Sequence, residues 1–363
     1  MGTPKSGGSS RRCPGSKPTS AAASLPWDAV ETERLIGGDT RALGRAISSI
    51  EIREPGSADL IQELAARTQA SGAAHTQIIG LTGPPGSGKS TLVDGLTELW
   101  RGQGRRVAIL AVDPNSPFTG GAILGDRVRM QRHALDRGVF IRSMGARGHL
   151  GGVSLATRAT VRLLTALGWE MVVVETVGVG QSELEICEIA DSVVVVTTPA
   201  AGDGVQIIKA GITEIADLFA VNKADLEGVD RVVRELRDLV RAHREEGVWR
   251  VPVIPTVASK GAEGVADLAT ALDLHRAHLV ASGTLTLRAE RRRRDEVVEL
   301  VGAFASEFAR RVLSESSGQS PTEGFGSASP ESTAEAILAR LAAAESKMVG
   351  GDPDPTAETR RNE

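Results

Sequence analysis

The chain has 363 residues, a formal net charge of −4 and 41% hydrophobic residues. That is long enough for more than one average domain and a large core. The charge does not suggest a nucleic-acid partner, and no apolar run approaches the roughly 18 residues of a membrane span. Two cysteines, Cys13 and Cys187, indicate neither a disulfide framework nor a metal cage, and the expected location is cytoplasmic.

Residues 1–26 are rich in Gly, Ser, Pro and basic residues, a composition expected to leave a disordered tail. From Trp27 to about Arg53 runs one helical pattern carrying Leu35, Ile36, Leu43, Ala46, Ile47 and Ile50. Glu54-Pro55-Gly56 breaks it, and Leu60, Ile61 and Leu64 begin a second, short helix that ends near Ser71-Gly72. Residues 27–73 therefore form an N-terminal helical element.

From 74 to 281 strand and helix patterns alternate. Strands are expected at 77–82, 107–112, 138–143, 171–176, 192–198, 217–222 and 251–256. Most are continuous Val/Ile runs, as in a parallel sheet covered on both faces. Helices are expected at 90–101, 154–167, 203–211, 229–245 and 264–279. The fold class is a doubly wound, mostly parallel α/β domain, whose ligands sit at the carboxyl ends of the strands.

After residue 282 the alternation stops. Val297, Leu300, Val301, Phe304, Phe308 and Val312 give a long helix one apolar stripe. Residues 314–329 read as a loop, 331–346 as a last amphipathic helix, and 348–363 as a tail. Residues 282–347 thus form a helical arm. Its stripes require a partner surface, either the arm's own domain or a second copy, and the pattern leaves both open. The basic run Arg288 to Arg294 carries no aromatic residue for base stacking and reads as a solvated helix face. His275 and His278 read the same way.

Gly83-Pro84-Pro85-Gly86-Ser87-Gly88-Lys89-Ser90, followed by Thr91, fits G-x-x-x-x-G-K-[ST] between a strand and a helix, a phosphate-binding loop. Its glycines let backbone N–H groups and the helix N-terminus face phosphate oxygens. Lys89 adds a full charge, and the Ser90 hydroxyl suits Mg²⁺. The apolar strand Val172-Val173-Val174 ends in Glu175, with Gly178 three residues on, which is the form of a Walker B strand and a DxxG motif with Glu for Asp. Gly178 can offer its N–H to a γ-phosphate, and 178–183 would be a mobile switch.

A second strand ends in Asp113 and leads into a glycine-rich segment ending at Asp126. Asp113, Asp126, Glu175 and Ser90 are the candidate metal groups, and composition does not divide the role between the two aspartates. Asn222-Lys223-Ala224-Asp225 is an N-K-x-D signature. Its aspartate would accept from guanine N1–H and the exocyclic amine, a pair that adenine does not present. Ala258 and Ser259 lie where a further loop would reach the guanine O6. The loop 198–209 opens on the same edge.

Val174-Glu175-Thr176-Val177-Gly178-Val179-Gly180-Gln181-Ser182-Glu183 resembles the hallmark of the MeaB/ArgK family of P-loop GTPases, the family of the methylmalonic aciduria type A protein. The runs Asp113-Pro114…Gly125-Asp126-Arg127, Gly148…Gly151-Gly152-Val153 and Gly38-Asp39…Arg41-Ala42-Leu43…Arg45-Ala46-Ile47 are similar to it too. The resemblance covers about 28–345. It implies a slow, Mg²⁺-dependent GTPase that gates cofactor loading and protects an adenosylcobalamin-dependent acyl-CoA mutase such as methylmalonyl-CoA mutase. It also implies a homodimer through the C-terminal helices. Residues matching Asp113, Asp126 and Glu175 would belong to the Mg²⁺ and catalytic surroundings with Lys89, and Asp203 and Lys209 to an extra switch. The alternative from another class is a nickel- or other metal-insertion GTPase.

Overall fold

The computed structural model describes residues 27–71, 76–113, 131–133, 135–145, 155–176, 185–199, 215–242, 249–316 and 329–349. Among these residues seven strands form one sheet: β1 (Gln77–Thr82), β2 (Val107–Asp113), β3 (Val139–Gly145), β4 (Met171–Thr176), β5 (Ser192–Thr197), β6 (Leu218–Asn222) and β7 (Val253–Thr256). They lie in the order β3-β2-β4-β1-β5-β6-β7, and every pairing is parallel. Each expected strand is found within two residues of its expected start and end. The expected helix at 203–211 lies outside the described residues.

The Val/Ile runs are buried on both faces because alternate residues go to opposite layers. Ala108, Leu110, Val112, Val172 and Val174 face one layer; Val107, Ile109, Met171 and Val173 face the other. The second layer is α4 (Lys89–Gly102) with α7 (Ala262–Ala281), joined through Leu92, Leu96, Val265, Leu268 and Leu272. Gly95 allows their close approach, since a Cβ there would stand 3.0 Å from the Gly261 carbonyl oxygen. A smaller cluster, with Phe219, Val233 and Leu236, seats α6 (Val229–Ala242).

The first layer holds α5 (Leu155–Ala166) and the N-terminal helices. Here the structure corrects the sequence reading. The single pattern from 27 to 53 is two helices, α1 (Ala29–Ile36) and α2 (Thr40–Glu51), followed by α3 (Ser57–Ser71). Gly38, at φ 81°, ends the first, and Asp39 caps the second by accepting from the Arg41 and Ala42 amides at 2.8 and 3.2 Å. Those amides hold the Asp39 carboxyl below its ordinary value. These helices share the core of the sheet. Leu43, Ile47, Ile50, Leu60, Ile61 and Leu64 are continuous with Phe140, Met144, Leu163 and Trp169 beneath the sheet.

The turn Ser282-Gly283 leads into α8 (Thr284–Ser316), and α9 (Pro330–Val349) follows. The first turns of α8 are tied to the amino ends of β5 and β6. Arg288 grips Asp217 with two nitrogens at 2.8 and 2.9 Å, and Arg292 lies 2.8 Å from Asp191. Both carboxylates also accept strand amides: Asp191 from Ile78 and Asp217 from Val193, each at 2.9 Å. The basic run is therefore not one solvated face. Arg291, Arg293 and Arg294 are exposed, while Arg288 and Arg292 turn inward.

His275 is a second correction. It is fully buried, with Nδ1 2.8 Å from the Ser192 hydroxyl, Nε2 3.3 Å from Asp217 and the Trp249 ring 4.8 Å away. Helical spacing placed it beside His278 but could not show that the helix turns this face to the sheet. Farther along α8, Arg158 of α5 is nearly buried between Glu188 and Glu299, and Arg162 pairs with Glu296 at 3.0 Å. On the outer side of the same helix Val297, Val298, Val301 and Phe304 are each more than half exposed.

Candidate nucleotide site

The loop between β1 and α4 stands at the middle of the sheet, with β4 on one side of β1 and β5 on the other. Gly83, Gly86 and Gly88 all have positive φ, at 141°, 75° and 88°. Two of them are also close approaches. A Cβ on Gly83 would meet the Val196 carbonyl oxygen at 2.1 Å, and one on Gly88 would meet Asn222 Nδ2 at 2.3 Å. A side chain at either position would collide with a neighbouring strand end. At Gly86, by contrast, nothing among the described residues lies within 4 Å of a Cβ, which leaves room there for an approaching ligand. Gly88 caps α4 without a side-chain hydrogen bond, which leaves the first amides of the helix for an anion.

Lys89 is buried, and its Nζ donates to the Gly83 and Pro84 carbonyls at 2.7 and 3.2 Å. The ammonium thus lies within the curl of the loop. Ser87 is buried, and its hydroxyl has no partner among the described atoms. Pro84 is half-buried; Pro85 and Thr91 are exposed.

Ser90 Oγ donates to Glu175 Oε1 at 2.7 Å. Glu175 is 4% exposed and stands on β4, in register with Leu81 of β1 and Ala111 of β2. Asp113 is the last residue of β2, one step beyond Val112, whose partner on β4 is Thr176. The backbone therefore brings Ser90, Glu175 and Asp113 to one stretch of the carboxyl edge. Asp126, Gly178 and Gln181 lie outside the described residues, as do the whole expected switch at 178–183, the glycine-rich segment after Asp113 and most of the loop 198–209.

Asn222 ends β6 and ties two loops together. Its Nδ2 donates to the Ser87 carbonyl at 2.9 Å, and its Oδ1 accepts from the Ala258 amide at 3.1 Å. Sequence reasoning grouped Asn222 with the base reader; the geometry shows a brace between the phosphate loop and the turn at Ala258–Lys260. Lys223 takes φ 57°, and its Nζ donates to the Gly86 carbonyl at 3.0 Å. Asp225 is exposed in the turn that follows, and the Ala224 amide donates to Thr256 at 3.0 Å. Ala258 is buried and Ser259 exposed.

The fit to a divalent cation rests on chemistry. Ser90 and Glu175 present neighbouring hard oxygens, the donor type Mg²⁺ takes beside phosphate oxygens. Among the described residues no three His, Cys, Asp or Glu groups cluster as a self-sufficient metal cage. Cys187 is half-buried, and burial pushes its thiol up to about 11, away from the thiolate form.

Residues 43–315 match the family model described as "Methylmalonyl Co-A mutase-associated GTPase MeaB". The chain is 36% identical over 256 residues to the GTPase ArgK of Escherichia coli, covering 69% of this chain and 77% of that protein. It is 34% identical over 267 residues to the mitochondrial methylmalonic aciduria type A homolog of Mus musculus, covering 70% of this chain and 64% of that one. Among solved structures, one described as an LAO/AO transport system kinase shares the fold, with a TM-score of 0.60 and 24% identity, covering 86% of this chain and 97% of its own.

Proposed function

This chain belongs to the MeaB family of methylmalonyl-CoA mutase-associated GTPases, and we propose that it hydrolyses GTP with Mg²⁺ as the chaperone of an adenosylcobalamin-dependent acyl-CoA mutase. In that role it gates cofactor loading and protects or reactivates the mutase. The observation that supports the GTP site is the Asn222 brace, which holds the phosphate loop and the turn at Ala258–Lys260 in one frame.

In this reading the amides from Gly86 to Ser90 and Thr91 wrap the β- and γ-phosphates. Lys89 moves from the Gly83 and Pro84 carbonyls to phosphate oxygens as charge develops on them. Ser90 and Glu175, with Asp113 or Asp126, hold Mg²⁺, which supplies charge compensation on the phosphates. Gly178 donates to the γ-phosphate. Asp225 takes the guanine edge, Lys223 covers the base plane, and Ala258 and Ser259 face O6. Gln181 follows Gly178 by three residues rather than one, which supports slow intrinsic hydrolysis that a partner accelerates by ordering the switches.

The test is a pull-down from the protein's own cells with GDP or with a non-hydrolysable GTP analogue. Recovery of a cobalamin-dependent mutase, varying with the nucleotide, is the expected result. Equal recovery of no mutase in both states would overturn the chaperone role while leaving the GTPase intact. We also infer a homodimer through α8 and α9, supported by the exposed Val301 and Phe304. Phe304→Glu with Val301→Asp should then sediment as a monomer; an unchanged dimer would place the interface elsewhere.

A further inference from the structure

The run Gly38-Asp39…Arg41-Ala42-Leu43…Arg45-Ala46-Ile47 is accounted for by the fold except at its arginines. Asp39 caps α2, and Ala42, Leu43, Ala46 and Ile47 are core. Arg41 and Arg45 are exposed on the opposite face of the helix. With Ser48, Ser49 and Ile52, and with Arg142 from the edge strand β3, they line an open groove of about 530 Å³.

The groove is rich in unused donors. A guanidinium has five N–H bonds. Arg45 gives one terminal nitrogen to Glu31 at 2.9 Å. Arg142 gives one to Glu51 at 2.8 Å and to Ser48 at 3.2 Å. Arg41 makes no ion pair among the described residues. Three guanidinium groups line the groove; Glu31, Glu51 and the capping Asp39, which feels Arg45, are the carboxylates about them, and most of the guanidinium N–H bonds stay free of hydrogen bonds among the described residues. Ile52 stands beside them, 64% exposed. Arginine next to exposed apolar surface is the composition of a protein-binding patch, and the planar fork suits carboxylates.

We propose that this groove docks an acidic segment of a partner protein, with carboxylates on Arg41 and Arg45 and an apolar side chain against Ile52. The groove is open along the helix, so an extended segment can lie in it. It flanks β3, at the far edge of the sheet from the base-reading strand β6, and so leaves GTP binding untouched. The inference stands apart from the mutase reading.

The probe is a fluorescent eight-residue glutamate-rich peptide with one central leucine, titrated into the full chain saturated with GDP and Mg²⁺. Binding should be measurable at low salt and weaken as salt rises. Arg41→Ala with Arg45→Ala, and the reversal Arg41→Glu with Arg45→Glu, should weaken it about tenfold or more. Arg291→Glu with Arg294→Glu, on the exposed face of α8, should leave it within about twofold. Melting temperature and GTP hydrolysis should be unchanged in all three variants, which shows that the fold is intact. The proposal is overturned if the peptide does not bind the unaltered chain, if both groove variants bind as well as it does, or if the α8 pair costs as much.

Discussion

The Ser90 hydroxyl and the Glu175 carboxylate are joined by a 2.7 Å hydrogen bond that links the first turn of α4 to β4. One atom of that pair belongs to the phosphate loop and the other to the strand beside it. On our reading Glu175→Gln keeps the shape but removes the charge beside the metal. GDP affinity should stay within a few fold, while single-turnover hydrolysis falls about a hundredfold or more. Hydrolysis at the unaltered rate would remove Glu175 from the reacting centre.

Gly88→Ala tests the cradle. The position has φ 88°, and the new Cβ would stand 2.3 Å from Asn222 Nδ2. The strained backbone alone costs about 1 kcal/mol or more, and the clash pushes Asn222 off the Ser87 carbonyl. Titration with a fluorescent GDP analogue should show binding lost, with a lower melting temperature. Gly86→Ala meets nothing within 4 Å among the described residues, so its effect should appear in nucleotide affinity more than in melting.

Asp225→Asn exchanges a carboxylate for an amide in an exposed turn, so the fold should be unharmed. GTP should bind about a hundredfold more weakly, and xanthosine triphosphate, whose C2 carbonyl meets an amide donor, should gain. Competition between the two nucleotides measures the switch. Unchanged preference for GTP would take Asp225 out of the base site.

Asp217 makes the fold sensitive to acid. Burial pushes its carboxyl up, but the neighbouring His275 and the Arg288 guanidinium outweigh that and hold it below its ordinary value. A carboxyl depressed in the folded state contributes stability above its unfolded pKa of about 4 and loses it as pH falls through the folded value. Urea midpoints should therefore drop on the acid side of about pH 4. Asp217→Asn should be destabilised at neutral pH by about 1–3 kcal/mol, because the partly exposed Arg288 loses its carboxylate while keeping its bond to the Asp191 carbonyl. Its midpoint should also vary less with pH in the acid range. Equal acid sensitivity in the two proteins would assign the effect to other carboxyls.

The strands were legible because residues such as Val172, Val173 and Val174 are apolar without alternation, and burial on both faces has no other simple explanation. The phosphate loop was legible because its chemistry demands glycine at fixed positions. The break between α1 and α2 is written only in turn chemistry: Gly37-Gly38-Asp39 carries a helix stop and a cap, while the apolar spacing runs on across it. His275, Arg288 and Arg292 were misread for a different reason. Their partners Ser192, Asp217 and Asp191 are distant in sequence, and only the assembled sheet brings the carboxylates to the foot of α8. The double role of Asn222, brace as well as motif residue, depends on the same kind of distant contact.

The ties of Arg288 and Arg292 bear on how the molecule can be dissected. A fragment ending at the Ser282-Gly283 turn would look like a whole nucleotide-binding unit, since all seven strands precede it. It would also take from Asp191 and Asp217 their closest guanidinium partners, leaving them only Arg276 at 3.9 Å and His275 at 3.3 Å. The smallest self-sufficient piece must keep α8 at least through Arg292, and through Glu299 to satisfy Arg158 as well. The first four turns of the arm are thus part of the engine block, and only what lies beyond them is free to serve as a handle for another molecule.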